Sequence, residues 1–168
     1  MFIDETALNT KMMRLHGRSP LGERCLTAAP HGHWQTSTFL AALRHDQIQA
    51  PFLLEGPLDG DGFLVYLQKV LAPCLQPGDT LILDNLATHK IQGVKELLAE
   101  KGVGLRYLPP YSPDLNPIEL AFAKLKAHLR QIAARTVKAL LSAVAKSLAK
   151  FSAADCMAFF RHAQYASI

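Results

Sequence analysis

Little in this sequence can brace a fold through sulfur or hold a soft metal. The three cysteines, Cys25, Cys74 and Cys156, are odd in number, widely spaced and outside any CxxC or His/Cys pattern. That excludes a disulfide scaffold and a zinc site, and leaves reduced core or surface residues. No apolar run approaches the roughly 18 residues of a membrane helix. The N-terminus lacks a basic region followed by an apolar run, so no signal peptide is expected. Glycines do not gather into a phosphate-cradling loop: "GDG" at 60–62 and "GVG" at 102–104 lack the Walker and dinucleotide patterns. Repeats and low-complexity segments are absent from the sequence, and His31-Gly-His33 reads as a loop rather than a metal pair.

What is present is an ordinary globular chain. Its 168 residues, 49% of them hydrophobic, suffice for one domain with a proper core. The net charge of +4 is unevenly spread. Residues 117–168 hold eight Lys/Arg and two acids, a net +6; the other 116 residues hold ten and twelve, a net −2. A basic C-terminal third suits a polyanion partner, although lysine-rich amphipathic helices carry similar charge.

Periodicity predicts several strands first: "MFIDET", "RCLTAA" at 24–29, "TSTFLAAL" and "IQAPFLLEG", the last two separated near Arg44 to Gln47. "GDGFLVYLQKVLAPCL" reads as a helix ended by Pro77-Gly78, "TLILDN" as a strand, 90–101 as a helix, and "VGLRYL" as a strand. Further helices follow, carried by Val137, Leu140/Leu141, Val144, Leu148 and Phe151, with Ser152 able to cap a last one. "TLILD" is apolar on both faces, which fits the centre of a parallel sheet. The order predicts an α/β or α+β fold with a mixed sheet, antiparallel at its opening and extended by parallel βαβ units.

The segment "LPPYSPDLNPIELAFAKLK" (108–126) carries four prolines before a helix, so the loop is stiff. Asn116-Pro117 is a strong helix start. Glu119 then sits in the first turn, where Asn-x-x-Glu resembles a capping box and a carboxylate suits the helix dipole. Ile118, Phe122, Leu125, Leu129 and Ile132 make a buried stripe at helical spacing. Lys126 and Arg130 share the face of Glu119, either as a solvated face or as phosphate contacts below an acid.

Ligands gather in open parallel sheets at the carboxyl ends of strands, and two more acids lie in strand segments. Asp84 ends "TLILD". Asp4 lies in "MFIDET", with Phe2 and Thr6 on its side and Glu5 on the other. If these strands are neighbours, Asp4, Asp84 and Glu119 can converge. Three carboxylates and no sulfur suit a hard cation such as Mg²⁺ or Mn²⁺. Two such ions about 4 Å apart would serve phosphoryl transfer. Taken singly, "DN" at 84–85 also reads as an Asx turn, and Asp4 as an edge residue.

With those residues in hand, the chain resembles the DDE transposases of bacterial insertion sequences, in the branch related to mariner elements. "FIDET", "GDTLILDNLATHK" and "LPPYSPDLNPIELAFAKLK" come in that family's order, with 34 residues between Asp84 and Glu119. "RLHGRSPLGER" and "APHGHWQTSTFLAAL" are similar too, so the likeness runs through essentially the whole chain. The resemblance implies an α/β, ribonuclease-H-like fold with a mixed five-stranded sheet flanked by helices, residues 1–133 forming the core and 134–168 C-terminal helices of a single catalytic domain. It implies Asp4, Asp84 and Glu119 as ligands of two Mg²⁺ or Mn²⁺ ions. It also implies cleavage of double-stranded DNA at element ends and strand transfer into a target, by a homodimer in a bacterial cytoplasm.

Asn85, His89 and Lys90 match the "DNxxxHK" motif and are expected to support DNA or the active site. Arg14, Arg18, Lys126 and Arg130 are expected to contact DNA, and Trp34 either stacks on DNA or packs in the core. The family's N-terminal helix-turn-helix region has no counterpart before Asp4, so the expectation is an upstream-frame helix-turn-helix polypeptide as partner. The alternatives are an inactive remnant acting as a DNA-binding or dimerising regulatory module, and an unrelated α/β enzyme using Asp84.

Overall fold

The computed structural model describes residues 1–165. Five strands form one sheet in the order β3-β2-β1-β4-β5. β1 (Phe2–Asn9), β2 (Thr36–Leu43) and β3 (Ile48–Glu55) are antiparallel neighbours, and β4 (Thr80–Leu83) and β5 (Gly104–Tyr107) add in parallel beyond β1. β4 is therefore central between two parallel partners, as its two-sided apolar sequence requires. The β2–β3 turn closes with the Arg44 amide donating to the Gln47 carbonyl at 2.9 Å.

Strand alternation sorts side chains onto two cores. Phe2 and Leu8 of β1 with Phe39, Ala41 and Leu43 of β2 face one side; Ile3, Leu40 and Ala42 face the other. The first core is covered by α3 (Pro117–Ile132), α4 (Val137–Leu148) and α5 (Ala153–His162). The second is covered by α1 (Gly60–Tyr66), which continues through 67–74 in a wider then a tighter turn, and by α2 (Gln92–Glu100). α4 and α5 thus share the core of β1 and α3: Leu140, Val144 and Cys156 are buried there, and Phe160 packs edge-on against Phe2 at 5.5 Å.

Local chemistry explains the helix ends. Ser152 caps α5 in a full capping box with Asp155: the Asp155 amide donates to Ser152 Oγ at 3.1 Å, and the Ser152 amide to Asp155 Oδ2 at 2.9 Å. Asp155 also pairs with Lys124 of α3 at 2.6 Å, which ties the two helices. That pair and the cap hold the Asp155 carboxyl down at about 2. Thr136 caps α4.

Three expectations need correction. Residues 24–29 form no strand; they lie exposed in the long connection 10–35 between β1 and β2, whose paired edges leave them no partner. β1 runs to Asn9, longer than "MFIDET", because Ala7 and Leu8 continue the pairing with β2. Ile132, the last residue of α3, and Leu141 of α4 leave the buried stripes and are exposed. Among the described residues, no helix is long and apolar enough to cross a membrane.

α3 ends on Ala133 in the left-handed region, at φ 54° and ψ 48°, a conformation that costs an L-residue roughly 1–2 kcal/mol. Glycine is the usual occupant. We expect Ala133→Gly to raise unfolding stability by about 0.5–1 kcal/mol, after its greater unfolded-state entropy is counted. Urea denaturation followed by circular dichroism measures it; a loss of stability would mean that the Ala133 methyl contributes packing that outweighs the strain.

Candidate active site

The parallel register of β1 and β4 pairs Phe2 with Ile82. Two residues further along each strand stand Asp4 and Asp84. The pairing therefore brings them level, both on the side of α3. Asp84 lies one residue past the end of β4, and Glu119 lies in the first turn of α3. All three acids line a single cleft of about 360 Å³. Its remaining wall is Asn85, Leu86, Asn116 and the proline loop from Leu108 to Pro113.

Asp4 is 7% exposed. Its Oδ1 accepts from the Glu5 amide at 2.8 Å and its Oδ2 from Asn116 Nδ2 at 2.8 Å. Burial pushes its carboxyl from the ordinary 3.8 up to about 7; the Glu5 amide bond opposes this, and the negative charges of Glu5, Glu119 and Asp84 add to the rise. Asp84 behaves oppositely. Burial would raise it, but hydrogen bonds from His89 and the Leu86 amide and the charges of His89 and Lys90 outweigh burial and hold it below the ordinary range. For His89, burial favours the neutral ring, yet bonds to Asp84 and Glu5 raise it to about 9.

The anticipated capping box at 116–119 does not form. The Asn116 side chain makes no cap bond and turns instead to Asp4. The stiff loop therefore delivers two groups to the cleft: Glu119, which is exposed, and a buried amide against Asp4. Asn116 Oδ1 is buried and has no partner among the described residues.

The anticipated DNA contacts fall in different places. His89 offers no surface to DNA: its ring is fully buried between Asp84 and Glu5, and it supports an acid instead. Asn85 lines the cleft, and Lys90 is exposed, 5.7 Å from the Tyr107 ring centre. Lys126 lies on the Glu119 side of α3: burial lowers its amine, Glu119 raises it and Arg130 lowers it. Arg130 borders a second hollow with Lys11 and Trp34. Trp34 is 53% exposed under the Lys11 amine rather than packed in the core. Arg14 and Arg18 are exposed and line a third hollow, outside the acid cleft. Sequence reasoning assigned no role to Glu5 and read Asn116 only as a cap. Strand alternation did put Glu5 on the face opposite Asp4, which is where His89 meets it.

The donor set suits a hard divalent cation. Every candidate ligand is a carboxylate oxygen, and Asp4 is a buried acid without a countercharge, which a cation would supply. The three side chains line the same cleft without being gathered round one point: among the described residues, no three His, Cys, Asp or Glu groups are placed to hold one ion together. Mutual repulsion of uncompensated carboxylates acts in that direction.

Asp4 and His89 both make the metal-free protein less stable as pH rises. Asp4 titrates higher folded than unfolded, so its contribution is present below about pH 4 and lost as pH rises through 7. His89 is also raised, so its contribution is present below about 6.5 and lost through 9. We expect stability to fall from pH 4 to 9, with the part between 4 and 7 absent in Asp4→Asn. That part amounts to at most roughly 4 kcal/mol. Urea unfolding across pH in chelator measures both curves; parallel curves would refute the assignment to Asp4.

The sequence profile described as DDE superfamily endonuclease matches residues 1–141. No protein of curated function matches in sequence. Among solved structures, the fold is similar to a pre-cleavage Mos1 transpososome, with a TM-score of 0.79 and 14% identity over 98% of this chain and 52% of that one. It is similar to the catalytic domain of Mos1 mariner transposase, with a TM-score of 0.64 and 12% identity over 98% and 78%. It is also similar to a Mos1 mariner paired-end complex with Mn, with a TM-score of 0.72 and 14% identity over 95% and 51%. The chain spans about half the length of the transpososome chain it matches. At these identities the likeness speaks for the fold, a mixed five-stranded sheet flanked by helices as in the ribonuclease-H-like Mos1 catalytic domain. The profile, covering most of the sequence and all three cleft carboxylates, shows that the chain belongs to the DDE superfamily endonucleases.

Proposed function

We propose that this chain is the catalytic domain of a transposase of the mariner-related insertion-sequence branch, which cleaves DNA at element ends and transfers the strand to a target. The observation that carries this reading is the single cleft lined by Asp4, Asp84 and Glu119, with cations further along the Glu119 helix. Asp4, Asp84 and Glu119 are the groups that would hold Mg²⁺ or Mn²⁺, two ions in this reading. Such ions, when bound, activate a water or 3′-hydroxyl and neutralise charge at the scissile phosphate.

The chain's own residues do the remaining work. Asn116 holds Asp4, and His89 holds Asp84. Lys126 and Arg130 meet the phosphates of double-stranded DNA, and Lys90 and Asn85 add contacts at the cleft edge. Solved Mos1 structures include paired-end complexes with transposon DNA and with Mn and Mg, which supports DNA and a divalent ion as partners here. A homodimer and a helix-turn-helix polypeptide supplying sequence-specific recognition complete the proposal.

Two measurements test it. Mn²⁺ should stabilise the wild type against heat by RT ln(1 + [M]/Kd), about 2.7 kcal/mol at 100-fold over Kd, and should do nothing for Asp84→Asn. Absence of stabilisation in both proteins would favour the inactive remnant, a DNA-binding or dimerising regulatory module. Lys126→Ala and Arg130→Ala should each weaken DNA binding and flatten its salt dependence by roughly one unit of slope. An unchanged slope would remove these side chains from the phosphate contacts.

A further inference from the structure

We propose that Glu5 is a positioning residue for the active site, acting on Asp84 through His89 from the far face of the sheet; this rests on reading Asp84 as a metal ligand. Adjacent residues of a strand point to opposite faces. Asp4 enters the cleft on the α3 side. Glu5 leaves on the α1 side, where its Oε2 lies 3.1 Å from His89 Nε2. The other ring nitrogen, Nδ1, lies 2.6 Å from Asp84 Oδ1.

A carboxylate oxygen only accepts, so both ring nitrogens donate. The ring cannot turn without losing a bond at each end. It is fully buried, sits 4.4 Å from the Phe63 ring centre, and has its backbone carbonyl held by the Tyr107 hydroxyl at 3.0 Å. Asp84 Oδ1 also accepts from the Leu86 amide at 3.2 Å. Both bonds fall on Oδ1, which fixes the carboxylate plane and leaves Oδ2 for the cleft. Outer partners that orient a ligand in this way are worth about 10–100-fold in metal affinity. Glu5 has no comparable reason to be acidic as a sheet residue. Its neighbours on that face, Ile3 and Leu40, are apolar core, and a half-buried carboxylate beside them costs desolvation that the His89 bond offsets.

The test compares Glu5→Ala with Glu5→Gln. Glutamine keeps an acceptor for His89 Nε2 but drops the charge. Two readouts are taken: Mn²⁺ affinity from thermal stabilisation, and the His89 Nδ1 proton signal by NMR in metal-free protein without DNA. We expect Glu5→Ala to weaken Mn²⁺ binding at least ~10-fold and to shift or broaden the Nδ1 signal, with Glu5→Gln retaining most of both. Equal losses in the two variants would show that charge alone matters, and an undisturbed signal in Glu5→Ala would break the linkage; either overturns the proposal. If Glu5→Ala does not fold, Glu5→Met takes its place, matching the volume without a strong acceptor. A wild type that binds no Mn²⁺ while its NMR signal responds as expected would sink the metal reading of Asp84, and with it the proposal that Glu5 positions a ligand. The Glu5–His89–Asp84 hydrogen bonds would then stand as structure only.

Discussion

The parallel pairing of β1 with β4 is the constraint on which the site depends. It brings two residues 80 positions apart in sequence level with one another on the α3 face of the sheet's two inner strands. A slip of one residue in β1 would turn Asp4 into the α1 face and Glu5 into the cleft. Such a slip is costly, because the same alternation places Phe2 and Leu8 in one core and Ile3 in the other. The apolar packing of the strand thus holds the register of its charged residues.

The cleft concentrates negative charge in a place that burial makes unfavourable to it. Each acid meets this differently. Asp4 has only amide donors, from Glu5 and Asn116, and its proton is held up to about 7. Asp84 has a buried imidazole and stays ionised. Glu119 remains exposed at a helix N-terminus, where the dipole favours it. A chain built only for stability would not place a bare acid at position 4. Local cost of this kind is expected where a structure serves chemistry.

α3 joins the two requirements. Its apolar side, through Ile118, Phe122, Leu125 and Leu129, packs on β1 and β2, with Phe122 edge-on to Phe39 at 5.9 Å. Its first turn delivers Glu119, and the residue before it delivers the amide that holds Asp4. The proline loop limits how far that helix start can wander. Lys124, part of the same basic stretch, is committed to Asp155 of α5, whereas Lys126 faces Glu119. Net charge along the helix therefore overstates the cations free to meet an anion.

Much of this was legible in the residues. Continuous apolar character marked β4 as central, helical spacing marked α3 and α4, and Ser152 marked the start of α5. Asp84 and Glu119 were legible by place, since a strand end and a helix start are local features, whereas Asp4 lies inside β1 and reaches the cleft only through the β1–β4 pairing. Residues 24–29 were not: their local pattern resembles a strand, but a strand exists only where it pairs with another, and this segment pairs with none of the five. The side chain of Asn116 was read by the same local logic as a cap, and three-dimensional proximity gave it to Asp4. His89 was expected by its motif to support DNA or the active site, and its full burial leaves only contacts within the fold. The sequence by itself determined the helices, the strands that do form and which of their faces are apolar, because those depend on neighbours a few residues away. Only the tertiary structure decided strand order, register and the pairing of Glu5 with His89, because those depend on which distant surfaces bury one another.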